Sequence, residues 1–140
     1  LRVLIVDDDV VLASVLAKML ERRGCVVETH ASGFGLSLAV RSARPDVVIL
    51  DVRMPGLSGL HAMKALQALN ERYNMPTPKI LLHSGSDEDT LAQLAPAIKA
   101  EAWIVKSSDQ RAVVDRVLEL ARADRPEDGA DMDPTHKVSR

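Results

Sequence analysis

The sequence predicts an α/β domain built on a doubly wound parallel sheet. Five short apolar runs alternate with longer segments of helical periodicity, which is the pattern of strands connected by crossover helices. Most of these runs are nearly continuous in aliphatic residues, as strands covered on both faces require. Residues able to do chemistry follow four of the five runs, where a parallel sheet opens its ligand crevice. With 140 residues, 46% of them hydrophobic, the chain is long enough for one domain with a full core.

Val3 to Val6 forms the first strand, and Val11, Val15, Leu16, Met19 and Leu20 then repeat at helical spacing until Gly24 stops them. Val26-Val27-Glu28-Thr29 alternates apolar with polar, as an edge strand does. Phe34 to Ser42 reads as the second helix, closed by Arg44-Pro45-Asp46. Val47 to Leu50 is a buried third strand. The third helix runs from about Ser58 through Leu60, Met63, Leu66 and Leu69 until Asn74-Met75-Pro76-Thr77-Pro78 breaks it.

Ile80 to Leu82 is the fourth strand. Ser86-Asp87-Glu88 then offers a cap and acids that suit the dipole of a fourth helix, which Pro96 makes short or kinked. Trp103 to Val105 is as continuously apolar as the inner strands and reads as buried on both faces. After a Ser107 or Ser108 cap, Val113, Val114, Val117, Leu118, Leu120 and Ala121 form the last helix. From residue 123 on, large apolar residues nearly vanish. The expected division is a folded domain over residues 1–122 and a polar, disordered tail or linker over 123–140.

Composition narrows the function. Eighteen basic and 20 acidic residues leave a net charge of −2, no footprint for direct nucleic-acid binding. No apolar run reaches the ~20 residues of a membrane helix, and no signal core opens the chain. A cytoplasmic location is expected. Cys25, the only cysteine, reads as a buried free thiol, and the four histidines are too scattered to suggest a metal cluster.

The first strand ends in Asp7-Asp8-Asp9, the third in Asp51, the fourth in His83-Ser84-Gly85 and the fifth in Lys106-Ser107-Ser108. Asp9 reads as the cap of the following helix. Gathering Asp7, Asp8 and Asp51 would raise their pKa values by mutual repulsion unless a cation joins them. An all-oxygen set suits Mg²⁺, which keeps waters and leaves room for a phosphoryl oxygen. Lys106 and the Ser84 hydroxyl supply a charge and a donor for further phosphoryl oxygens. Asp51, among these groups, is a candidate phosphoryl acceptor.

VLIVDDD, PDVVILDVRMPGLSG, ILLHSG and AWIVKS, in this order and at this spacing, resemble the receiver domain of two-component response regulators. The resemblance covers residues 1 to about 121 and implies a flavodoxin-like five-stranded sheet of order 2-1-3-4-5 with five helices. It implies Asp51 as phosphoacceptor, and Asp7, Asp8, Asp51 and the Arg53 backbone carbonyl as ligands of Mg²⁺, with Mn²⁺ as a substitute. Ser84 and Lys106 correspond to the phosphoryl-binding pair, and Trp103 to an aromatic whose rotamer follows phosphorylation. The implied partners are a sensor histidine kinase or histidine phosphotransfer protein and an output partner or domain. Homodimers through the fourth and fifth helices occur among such domains. The implied activity is that of an acceptor with at most slow self-dephosphorylation, and no external turnover.

Two departures stand out. Ser107 replaces the proline that usually follows the lysine, so the Lys106-Ser107 bond is expected to be trans. Lys99-Ala100 replaces a glycine usual before the fifth strand. Arg53 and Gly85 border the crevice and are candidates for tuning. A degenerate receiver that binds partners constitutively is the competing function, against which the retained acids and lysine argue. An aspartate-dependent phosphohydrolase would want a general acid where Arg53 stands.

Overall fold

In the computed structural model, which describes residues 1–53 and 59–123, five parallel strands form one sheet. They are β1 (Arg2–Val6), β2 (Val26–His30), β3 (Val47–Leu50), β4 (Lys79–Ser84) and β5 (Ala102–Val105), ordered β2-β1-β3-β4-β5. The intervening helices are α1 (Val10–Arg22), α2 (Leu36–Ala43), α3 (Gly59–Arg72), α4 (Glu88–Leu94) and α5 (Gln110–Ala123). This is the predicted doubly wound architecture. The segment 54–58, with the expected start of the third helix at Ser58, lies outside the described residues. The polar tail does too, from residue 124 on; α5 itself reaches Ala123.

Strand alternation sorts the aliphatic side chains into two cores. Val3, Ile5, Val47, Ile49, Leu81 and Ala102 meet Leu16 and Leu20 of α1 and Val113 and Val117 of α5 on one face. Leu4, Val6, Val48, Leu50, Ile80 and Leu82 meet Val40 of α2, Met63 and Leu66 of α3 and Leu91 of α4 on the other. Each inner strand is thus buried on both sides, which explains its unbroken apolar run. β2 is largely exposed, as its alternation implies.

Local signals set most helix ends. The Asp9 carboxylate accepts the Leu12 N–H at 3.1 Å and caps α1, and Asp87 accepts the Thr90 N–H at 2.8 Å and caps α4. α4 ends at Leu94 and tightens into a 3₁₀ turn over Ala95–Ile98, with Pro96 at its start. Proline has no N–H to continue the α-helical ladder, so the predicted shortening follows. Two expectations need correction. α2 starts at Leu36 rather than Phe34, because Gly35 takes a left-handed φ of 77° and Phe34 is left exposed. β5 is not buried on both faces: it is the last strand of the sheet, and Trp103 remains 38% exposed.

Lys99 closes the 3₁₀ turn at φ 54°, a left-handed conformation in which a Cβ crowds the backbone. Its side chain is exposed. Lys99→Gly is therefore expected to stabilise the fold by about 0.5–1 kcal/mol, after allowing for glycine's looser unfolded state. A higher urea midpoint with an unchanged slope would show it; a lower midpoint would count against it.

Candidate functional site

The site assembles at the carboxyl ends of the strands, where strand order reverses around β1. Ile5, Ile49, Leu81 and Ile104 all belong to the core shared with α1 and α5. Side chains two residues apart on a strand share a face, so the residues two further on, Asp7, Asp51, His83 and Lys106, emerge on that same side. The pairings Val6↔Leu50 and Leu50↔Leu82 bring Asp7, Asp51 and His83 to one level. Lys106 follows β5, its N–H bonded to the Ser84 carbonyl at 2.9 Å.

The acids are held by backbone before any ligand arrives. The Asp9 N–H donates to Asp7 Oδ1 and the Arg53 N–H to Asp51 Oδ1, both at 2.9 Å. Lys106 Nζ donates to Asp7 Oδ1 and to Asp51 Oδ2, each at 2.9 Å. Asp7 and Asp51 are buried, whereas Asp8 is exposed at the rim. One carboxylate oxygen from each of Asp7, Asp8 and Asp51 falls within a mutual 4.8 Å, a spacing that suits a shared hard cation. The Lys106–Ser107 bond is trans, and the lysine reaches both carboxylates.

Electrostatics separate the two buried acids. Burial pushes the Asp7 carboxyl up, and the Asp51 charge adds to this, against the opposing Asp9 N–H and Lys106. Burial acts on Asp51 too, but donors from the Arg53 N–H, Lys106 and the Ser84 hydroxyl outweigh it and hold Asp51 below the usual carboxylate range. Repulsion raises gathered acids where no cation joins them; here the Lys106 ammonium bonds both, and Asp51 lies below its ordinary value. Lys106 loses solvation by burial, yet its bonds to Asp51 and Asp7 raise its pKa.

The remaining predicted residues divide. Ser84 is fully buried beside Asp51, its Oγ accepting the Ser86 N–H at 3.5 Å. The Arg53 side chain is exposed, with Nη1 3.9 Å from where a β-carbon on Gly85 would lie. Trp103 pairs with Leu82 on β4 and does not join the acids, since it alternates with Ala102 and Ile104. A cleft of ≈ 1370 Å³ opens at the opposite pole among Leu1, Pro45, Tyr73, Pro78 and Ala121. None of Asp7, Asp8, Asp51 and Lys106 lines it.

His83 is the site residue that the sequence hides. Counted by period two from Leu81, it shares the face of Asp51; taken as one of four scattered histidines, it carries no signal. In the structure it is 2% exposed, and burial, then the Lys106 charge, lowers its pKa to about 4.

The family model of the response regulator receiver domain matches residues 3–118. The DNA-binding response regulator MtrA of Mycobacterium leprae is 32% identical over 99% of this chain and 63% of its own length. The transcriptional regulatory protein CreB of Escherichia coli is 32% identical over 84% of this chain and 49% of its own length. The chain thus spans about half to two-thirds of these relatives. Among solved structures, the chemotaxis protein CheY4 of Vibrio cholerae superposes with a TM-score of 0.73 at 28% identity, covering 85% of this chain and 97% of that one. The BeF3-activated N-terminal receiver domain of Klebsiella pneumoniae RstA gives a TM-score of 0.75 at 21% identity, over 87% and 99% of the two chains.

Proposed function

The chain belongs to the response regulator receiver domain family, and on that premise we propose that it is a phosphorylation-activated signalling receiver with Asp51 as its acceptor. The observation that carries this is the state of Asp51: a buried carboxylate kept ionised by three donors, two of them side chains suited to phosphoryl oxygens. An Asp51 oxygen attacks the phosphorus of a phosphohistidine on a sensor histidine kinase or phosphotransfer protein. The P–N bond breaks and the imidazole leaves with its electron pair. Lys106 and the Ser84 hydroxyl then meet the transferred oxygens, which need donors as charge builds on them.

The donor set fits Mg²⁺, with Mn²⁺ as a substitute: Asp7, Asp8 and Asp51 offer only oxygens, and the family resemblance adds the backbone carbonyl of Arg53. When bound, the ion offsets the negative charge of carboxylates and phosphoryl group together. Asp8 at the exposed rim and the buried Asp7 and Asp51 would hold the ion. Incubation with acetyl phosphate and Mg²⁺ is expected to add the mass of one phosphoryl group, and excess chelator to suppress the gain. No gain in Mg²⁺ would favour the constitutive binding module instead, and an equal gain in chelator would remove the ion from the reading.

Charge added at Asp51 draws Ser84 and its loop inward and lets Trp103 turn, altering the surface of α4, β5 and α5. MtrA and CreB are named as DNA-binding and transcriptional regulators. An output domain of that kind is the partner we assign to this surface, and the receiver itself makes no nucleic-acid contact. Arg53 sets the lifetime of the acyl phosphate, because its guanidinium borders the crevice next to Gly85. Arg53→Ala is expected to change the dephosphorylation rate at least roughly twofold, about the effect of a weak solvent-exposed charge contact; equal rates would remove the assignment.

A further inference from the structure

His83 Nδ1 is the only buried side-chain nitrogen or oxygen without a hydrogen-bond partner among the described residues. An apolar side chain would fill the same place with no such loss, so the orphaned nitrogen needs an explanation. Its position suggests one. β4 lies between β3 and β5, so a lysine rooted after β5 that bonds acids after β3 and β1 must span β4. The β4 residue on that face, level with both acids, is His83. Lys106 therefore passes over the imidazole.

An ammonium carries three N–H bonds, and Lys106 spends two of them on Asp7 and Asp51. Phosphorylation turns Asp51 into an acyl phosphate and removes the carboxylate charge that held Nζ. The ammonium then turns towards the phosphoryl oxygens, and the N–H facing the sheet needs a new acceptor on the buried side of the crevice, where His83 lies. We propose that His83 is a positioning residue for Lys106, its Nδ1 accepting that N–H in the phosphorylated state. This rests on the reading of Asp51 as phosphoacceptor. Burial and the lysine's own charge keep the ring neutral, which leaves Nδ1 an acceptor when the proton sits on Nε2.

The test uses the full 140-residue chain, labelled with ¹⁵N, with Mg²⁺ and beryllium trifluoride as the phosphoryl mimic. Fluorine NMR reports whether the adduct forms on Asp51, and the histidine nitrogen spectrum reports Nδ1 of His83. Adduct formation is expected to shift Nδ1 towards the position of a hydrogen-bonded acceptor. His83→Leu, which keeps the volume and removes the acceptor, is expected to bind the mimic roughly fivefold more weakly, the worth of one ordinary hydrogen bond. An adduct that leaves Nδ1 unmoved overturns the role of His83 and leaves Asp51 as acceptor. No adduct at all overturns the acceptor reading, and this proposal with it. Should His83→Leu fail to fold, the wild-type nitrogen shift still decides.

Discussion

Asp51→Asn is expected to abolish phosphoryl uptake from acetyl phosphate while leaving the fold in place. The amide cannot form an acyl phosphate, so the loss is complete and not a reduction. The pocket survives because an asparagine carbonyl oxygen can still accept from Lys106 Nζ or from the Arg53 N–H, which now bond the two carboxylate oxygens. One buried charge disappears, and Asp7 keeps its own bond to Lys106. A change in unfolding free energy of about 1 kcal/mol or less is expected, the size of one ordinary hydrogen bond. Intact mass and a urea transition on the same sample check both parts. A variant that still takes up a phosphoryl group would place the acceptor elsewhere.

Lys106→Ala is expected to destabilise the fold by about 3–5 kcal/mol at pH 7, since two buried carboxylates lose their shared cation. The pH dependence gives the loss a distinct signature. With the lysine present, the folded-state pKa of Asp51 is depressed, so its contribution is in place above the unfolded carboxylate value and fades as pH falls through the folded one. The pKa of Lys106 is raised, so its contribution holds at neutral pH and fades only as pH rises through an alkaline value. Without the lysine, Asp7 loses a donor that opposes its burial and its pKa rises further, while Asp51 loses the bond and the charge that Lys106 contributes to holding it down. A carboxyl whose folded-state pKa is raised binds its proton more readily in the folded state, so acidification costs the variant less stability than it costs the wild type. The stability gap between wild type and variant should therefore narrow from neutral pH towards the acid range in which carboxylates titrate, and narrow again on adding Mg²⁺. Urea titrations at neutral and acid pH, with and without the ion, would show this; a gap that ignores both would mean the lysine acts through packing alone.

The parts of the structure legible in the sequence are those governed by local rules. Asp9 and Asp87 announced helix starts because a short carboxylate next to an apolar periodic run has a strong preference for capping. Pro96 announced the end of α4 because it lacks an N–H. Asp7, Asp8 and Asp51 could be gathered in advance because each ends a strand of one parallel sheet, and parallel strands deliver their ends to one edge.

What stayed hidden depends on neighbours distant in sequence. β5 has the composition of an inner strand, yet among the described residues no strand pairs with its outer edge, and Trp103 is exposed. Glycine permits a left-handed backbone without requiring it, so Gly35 did not warn that α2 would start late. The direction of the Asp51 pKa shift turns on three donors from three segments, of which only two side chains were foreseeable. Lys106 was legible as a strand-end residue of the same crevice, but its direct bond to Asp7, 99 residues away in sequence, was not.

If Asp51 is the acceptor, the phosphoryl group goes there and nowhere else. Borohydride reduces an acyl phosphate to an alcohol, converting the modified aspartate to homoserine and leaving free carboxylates alone. Treating the protein with acetyl phosphate and Mg²⁺, then with borohydride, and sequencing its peptides by mass spectrometry should find homoserine at position 51. Homoserine at Asp7 or Asp8, a borohydride-resistant phosphate on Ser84, or no reduction at any residue would contradict it.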